Sequence, residues 1–124
     1  MRLAVACAAA IVVLSAGIAA GQTQSELNQR AGSDLRKADE RLNAAYNKLR
    51  ARISDAGKKS LQTAQQSWLR FRDQECEFET MGTVGGSIHS MVVAQCLTRL
   101  TDQRIKDLEA QLNCKEGDVS CGGQ

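Results

Sequence analysis

Two cysteines and a glycine pair place the strongest constraint on how this chain folds. Cys76 and Cys96 each lie ten positions from Gly86, the second residue of the pair Gly85-Gly86. Glycine pairs are typical of turns, so the segment predicts two helices that reverse direction at the glycines. Residues equally far from the turn then lie side by side, and the two thiols meet. We expect a disulfide there, which would stabilise the hairpin by roughly 3 kcal/mol.

The remainder of the chain also favours helices, because its 124 residues contain no proline. A first amphipathic helix is predicted from near Ser25 to Gly57, with a glycine at its C-terminal end. Its apolar residues recur at the spacing found in coiled coils. They are Leu35, Ala38, Leu42, Ala45, Tyr46, Leu49 and Ile53.

Two further helices complete an all-α fold, which we predict to be an antiparallel three-helix bundle with a disulfide-tied helical hairpin. The second helix begins near Lys58, and the third extends to Asn113 with Ser87 as its N-cap. The glycine-rich segment 81–87 is the loop between them. The inward stripe of the second helix is predicted to comprise Leu61, Ala64, Trp68, Phe71 and Glu75.

The hairpin register predicts which side chains meet across its seam. Trp68 comes opposite Arg104, in position for a cation–π contact of about 1 kcal/mol. Arg72 lies one turn after Trp68 and competes for the same ring, while Asp73 can neutralise one arginine. Phe71 is expected to face Thr101. We interpret these residues as structural.

The N-terminal segment is typical of a secretory signal peptide. Arg2 precedes an apolar run that ends in Ala19-Ala20-Gly21, so we predict a signal peptide over residues 1–21 and a helical domain over residues 22–124. Cleavage after Ala19 fits equally well, and an uncleaved membrane anchor is the alternative. Export to the periplasm or the medium implies an oxidising compartment.

Four cysteines remain after such a cleavage. If Cys76 pairs with Cys96, elimination pairs Cys114 with Cys121; alternatively, Cys114 ties the end of the third helix to something else. Without a CxxC pair, and with His89 as the only histidine, no metal or other cofactor is expected. The count of 16 basic and 14 acidic residues argues against a nucleic-acid partner.

Two stretches resemble a known family. The first carries ADxxLNxxY, and the second runs from QQSWLRFRDQEC through GGS to CLTRLTDQRIKDL. Their ordered set resembles the LprI-type family of small exported bacterial proteins, named for a lysozyme-inhibiting member, over about residues 23–112. Relatives often have a cysteine where this chain has Arg30. The shared residues that we interpret as a structural motif are Asp39, Asn43, Tyr46, Trp68, Arg72, Asp73, Thr101 and Arg104.

The resemblance implies inhibition of c-type lysozyme, an enzyme whose cleft holds two catalytic carboxylates. We expect the loop around Gly85 and Gly86 to block that cleft, with hydrogen-bond donors from Ser87, His89 and Ser90. Acidic residues beside the loop would meet a cationic rim on the enzyme. These are Asp73, Glu75, Glu77 and Glu79. The alternative interpretation is that they form a solvated helix end.

Two other classes of function have candidate residues in the sequence. One is a structural or interaction module of the cell envelope, which binds another protein through an uncovered apolar stripe. Tyr46, Ile53 and Met91 are its candidates. The other is an enzyme, with Ser87 and His89 as part of a hydrolase site. Because no motif supplies an orienting acid, we predict that the chain is not an enzyme.

Overall fold

Three long helices make up the computed structural model of the protein, which describes residues 21–122. They are α1 (Gln24–Arg50), α2 (Asp55–Glu79) and α3 (His89–Leu112). A short 3-10 helix, Met81–Thr83, follows α2, and residues 21–122 contain no strand. The prediction of an all-α bundle is therefore confirmed. The predicted signal peptide falls, except for Gly21, outside the described residues.

The helices run up, down and up. Gln24 at the start of α1 contacts Met91 at the start of α3, and Leu49 near the end of α1 shares a core cluster with Leu108 near the end of α3. α1 and α3 are thus parallel to each other, and α2 is antiparallel to both. None of the described helices is long and apolar enough to cross a membrane.

The first helix begins with a capping box. The Thr23 hydroxyl accepts a hydrogen bond from the backbone N–H of Glu26, and the Glu26 carboxylate accepts one from the Thr23 N–H. These reciprocal bonds satisfy donors that a helix start leaves without partners. The helix continues through Gly32 without a break.

The predicted boundary at Gly57 is wrong, because α1 ends at Arg50. The hydroxyl of Ser54 instead accepts a hydrogen bond from the N–H of Gly57, at 3.1 Å, and so caps the start of α2. Gly57 is a buried residue in the first turn of that helix. The boundary signal was the Ser54-Asp55 pair, a cap followed by an acid that the helix dipole favours.

The predicted N-cap of α3 is also wrong. The helix begins at His89 after Ile88, and within residues 21–122 no side chain caps it. The backbone carbonyl of Ser87 accepts a hydrogen bond from Nδ2 of Asn28, at 3.0 Å. Ser87 therefore links the turn to α1 rather than starting α3.

Small residues let α1 and α3 lie close together. Ala31, Ala38 and Ala45 recur every seven residues along α1 and are buried, as are Ala94 and Thr101 of α3. Interaxial distance depends on the side chains at the contact, so short side chains bring the two backbones together. Most of the contacts between helices are accordingly those of α1 with α3.

The base of the bundle holds the larger apolar cluster. Its buried members come from the inward faces of α1 and α3 and from the α1–α2 turn, and partly buried residues of all three helices surround them. The buried members are Leu42, Ala45, Leu49, Ile53, Ile105 and Leu108. The predicted apolar stripe of the first helix therefore forms the core.

The inward face of α2 differs from the predicted stripe. Phe71 is 52% exposed and Ala64 is also exposed, whereas Gln65 is buried and Arg72 is partly buried. The inward-facing positions of α2 recur at intervals of four and three residues, and Gln65 and Arg72 occupy two of these positions. The sequence pattern favours the apolar neighbours, Ala64 and Phe71, for the inward face. Polar residues are buried only where they have hydrogen-bond partners, and the sequence alone does not show those partners.

One disulfide closes the hairpin, as the cysteine and glycine spacing predicts. Cys76 is joined to Cys96 with 5.7 Å between the Cα atoms, and Cys76 is only 1% exposed. A second disulfide joins Cys114 to Cys121 with 5.9 Å between the Cα atoms. The segment between Cys114 and Cys121 lies against α3, because Nε2 of Gln111 donates a hydrogen bond to the carbonyl of Ser120.

The two disulfides are expected to differ in their effect on stability. Replacing Cys76 and Cys96 together by serine should lower the free energy of unfolding by about 3 kcal/mol, because the unfolded chain regains the entropy of a 20-residue separation. Urea denaturation measures this loss. The matched control replaces Cys114 and Cys121 together; we expect a loss below about 1 kcal/mol, because that tail can fray without opening the core. Equal losses of unfolding free energy in the two double variants would contradict the expectation that the Cys76–Cys96 disulfide contributes more to stability.

Candidate functional site

The turn between α2 and α3, together with the helix ends beside it, forms the tip of the hairpin. The buried Thr80 hydroxyl donates a hydrogen bond to the Cys76 carbonyl at 2.6 Å, and the Thr83 hydroxyl donates one to the Thr80 carbonyl at 2.9 Å. Gly85 has a φ of 83°, a backbone conformation that side chains disfavour. These two hydrogen bonds fix the backbone of the tip next to the Cys76–Cys96 disulfide.

A groove of about 590 Å³ opens at this tip. Val93 and Leu97 of α3 line it together with residues from the end of α2 and from the turn. At its rim Met81 is 63% exposed and Val84 is 71% exposed. Such exposed apolar side chains beside a groove are typical of a surface that binds another molecule. We name this groove and its rim the tip groove.

The predicted donors lie at or next to the tip groove. His89 lines the groove, and its Nδ1 is hydrogen-bonded to the Thr83 hydroxyl at 2.8 Å. Ser87 and Ser90 are exposed to solvent on either side of His89. Gly85 and Gly86 are exposed too, and they form the turn rather than contribute side chains.

The acidic residues at the end of α2 do not share one surface. Asp73 and Glu77 are one helical turn apart and line the tip groove. Glu79 lies elsewhere and forms an ion pair with Nη2 of Arg99 at 2.7 Å. Glu75 is partly buried. The structure therefore brings two of the four acids to the groove.

A polar network joins the three helices below the tip. Nη1 of Arg72 donates hydrogen bonds to Asp39 of α1 at 2.8 Å and to the Thr101 hydroxyl of α3 at 3.0 Å. Nε of the same arginine bonds Asp73 at 3.1 Å. The Arg72 side chain is only 11% exposed, so these partners replace the water that it loses on folding.

The indole of Trp68 lies beside two guanidinium groups. Their central carbons are 5.4 Å from the ring centroid for Arg72 and 5.9 Å for Arg104, which is within cation–π range. Arg104 also donates a hydrogen bond from Nε to Oε1 of the buried Gln65 at 3.0 Å. Burial lowers the pKa of Arg104, and the charge of Asp107 opposes that shift.

The remaining residues of the shared motif have different surroundings. Tyr46 is partly buried and packs against the apolar cluster at the base, while Asn43 is exposed on α1. Ile53 is buried and Met91 partly buried. Tyr46, Ile53 and Met91 therefore do not form the uncovered apolar stripe that an interaction module would need.

The exposed apolar residues of the tip were missed by reasoning from the sequence. Met81 and Val84 lie in the glycine-rich segment, which we interpreted only as a loop. A signal was present, because apolar side chains in an otherwise turn-forming segment have no core to enter. Within residues 21–122, the side chain hydrogen-bonded to the His89 ring is that of Thr83. Among residues 21–122, no cluster of three histidine, cysteine or acidic side chains is suited to hold a metal ion.

The described residues thus form an all-α bundle whose disulfide-tied hairpin carries a groove with acidic and apolar residues at its tip. The sequence profile described as lysozyme inhibitor LprI matches residues 16–108, and the chain belongs to this family. An uncharacterized protein of Rhizobium meliloti (strain 1021) is 31% identical over 107 aligned residues, which cover 76% of this chain and 77% of the relative. No solved structure matches the chain significantly.

The network around Arg72 leads to a stability prediction. Arg72→Lys should lower the free energy of unfolding by about 1–2 kcal/mol, because lysine cannot bond Asp39, Thr101 and Asp73 in the same fixed geometry. Urea denaturation at neutral pH measures the change. Arg70→Lys, at an exposed position two residues earlier, is the control and should change it by less than about 0.5 kcal/mol. Similar losses in both variants would show that the network adds no stability.

Proposed function

We propose that this protein is an exported inhibitor of c-type lysozyme and that its hairpin tip occupies the enzyme's cleft. The observation that carries the proposal is the tip groove, which exposed Met81 and Val84 of the turn line together with Asp73 and Glu77 of α2. Membership in the lysozyme inhibitor LprI family supports the choice of enzyme.

The chemistry of the tip suits such a target. A glycosidase cleft presents two carboxyl groups, so a blocking surface needs hydrogen-bond donors. Ser87 and Ser90 supply them, whereas the ring of His89 is already hydrogen-bonded through Nδ1 to the Thr83 hydroxyl. Asp73 and Glu77 lie farther down α2, where they would face a cationic rim of the enzyme rather than its catalytic acids. Met81 and Val84 would supply the apolar contact that is buried on binding.

The stiffness of the tip also favours inhibition. A loop that must order itself on binding loses affinity through the entropy of the side chains and backbone that it fixes. Here the disulfide, the hydroxyls of Thr80 and Thr83, and the bond from Asn28 to Ser87 hold the turn in the unbound protein. The proposed inhibitor therefore presents a preformed surface.

Export is part of the proposal. Residues 1–21 would act as a signal peptide, and residues 22–124 would form the mature helical domain. The paired cysteines support this location, because disulfides persist in oxidising compartments and are rare in the cytosol.

A lysis assay tests the proposal. Purified residues 22–124 are mixed with a c-type lysozyme, and the clearing of a bacterial cell-wall suspension is followed. We expect clearing to slow as the molar ratio of the protein rises. Undiminished clearing at high molar excess would contradict inhibition. In that case, binding to a different envelope protein, measured by pull-down from an envelope extract, would favour the role of an interaction module.

Two variants test whether the tip is the contact. Val84→Ser should weaken inhibition by roughly tenfold through loss of an apolar contact. Glu77→Lys should slow association and reduce its dependence on salt. Val119→Ser is the matched control, because Val119 is fully exposed in the C-terminal tail. Inhibition that is unchanged in both tip variants would place the contact on another surface.

A further inference from the structure

One strip of the exposed surface of α2 is uncharged, although charged residues such as Lys59, Arg70 and Glu77 lie beside it. Seven exposed residues spaced by one helical turn form a row in this strip. They are Ser60, Thr63, Ala64, Ser67, Phe71, Gln74 and Phe78. Phe71 is 52% exposed and Phe78 is 68% exposed. We name this set the α2 outer row.

This row differs from the other exposed helix surfaces of the protein. Charged residues make up 24% of the chain, and the exposed surface of α1 carries Arg36, Lys37, Glu40 and Lys48. A helix face that meets only water is normally polar and charged. Exposed phenylalanines between small neutral side chains are instead typical of a face that packs against another helix.

The α2 outer row is complementary to itself. Its N-terminal half has small side chains, and its C-terminal half carries both phenylalanines. If two copies of α2 pair in opposite directions about an axis near Leu69, Phe71 comes opposite Ser67 and Phe78 comes opposite Ser60. Large side chains then meet small ones at both ends, as a twofold interface requires.

The charges beside the row follow the same symmetry. Lys59 and Glu77 lie on one flank of the row, near its opposite ends, and both are exposed. Antiparallel pairing brings Lys59 of each copy close to Glu77 of the other. Two identical ion pairs therefore flank the contact.

We propose that the α2 outer row is the interface of a homodimer, in which two copies of this chain pack their α2 helices antiparallel. The paired faces contain no charged residue, and Lys59 and Glu77 form ion pairs at the two ends of the seam. The two hairpin tips point away from each other, and Glu77 is the residue that the tip groove shares with the edge of the contact. The contact involves one helix from each chain, so it is small and the dimer is weak.

The interface contains one unfavourable contact. Arg70 lies on the same flank as Lys59 and close to the axis, so the guanidinium groups of the two copies approach each other. Each Arg70 donates a hydrogen bond to Ser67 of its own chain, and solvent screens the repulsion. Removing this charge should therefore strengthen the dimer.

Sedimentation equilibrium of purified residues 22–124 tests the proposal. We expect a monomer–dimer equilibrium with a dissociation constant of roughly 10–100 µM, as befits an interface of low area. Phe71→Ser should weaken it by roughly tenfold or more, because the large side chain fills the centre of the contact. Val84→Ser is the matched control: it also removes an exposed apolar side chain, but outside α2, and should leave dimerisation unchanged.

Charge variants test the antiparallel register. Lys59→Glu should weaken the dimer by roughly three- to fivefold, and adding Glu77→Lys to that variant should restore it. Arg70→Gln should strengthen the dimer by roughly two- to threefold. Circular dichroism verifies that each variant keeps its helices. All these positions are exposed, so the variants should fold.

Three results would overturn the proposal. One is a monomer mass at every concentration up to about 0.5 mM, well above the expected dissociation constant. Another is a dimer that Phe71→Ser and Lys59→Glu both leave unchanged, which would place the interface elsewhere. The third is a chain that stays monomeric but binds a different protein through Phe71, which would give the row another occupant.

Discussion

The bond between Cys76 and Cys96 holds α2 in place beside the other two helices. α1 and α3 pack closely through small side chains, whereas α2 makes far fewer contacts with either. Leu61 and Trp68 of α2 pack against the apolar core, and the buried disulfide ties α2 to α3 at the end where the turn lies. The proposed role of the hairpin tip as a preformed binding surface depends on this link.

Polar contacts hold the middle of α2 beside α1 and α3, as the disulfide holds its C-terminal end. Arg72 bonds side chains from both other helices, and Trp68 lies beside two guanidinium groups. A buried cation is favourable only when its partners replace the lost water, and the fixed geometry of those partners allows one arrangement of the helices. The network therefore sets the position of α2 with few apolar contacts.

Attached in this way, α2 contributes to both of the surfaces proposed to bind other molecules. Its C-terminal end contributes acids to the tip groove, and its outward face carries the uncharged row. The tip groove and the row lie on different sides of one helix, and Glu77 lies at the border between them. A bundle with a fully packed α2 would have its phenylalanines in the core and would lack the row.

The sequence by itself determined the three helices, the hairpin and its disulfide, because helical periodicity and the spacing of cysteines about glycines are local properties. The family resemblance implied inhibition of lysozyme, and the contact at the hairpin tip stays a prediction. Only the tertiary structure decided that Arg72 and Gln65, rather than Phe71 and Ala64, face the interior, and that two of the four acids reach the groove. Which face of a helix is buried depends on partners far away in the chain. A polar side chain is buried only where another residue supplies a hydrogen-bond partner.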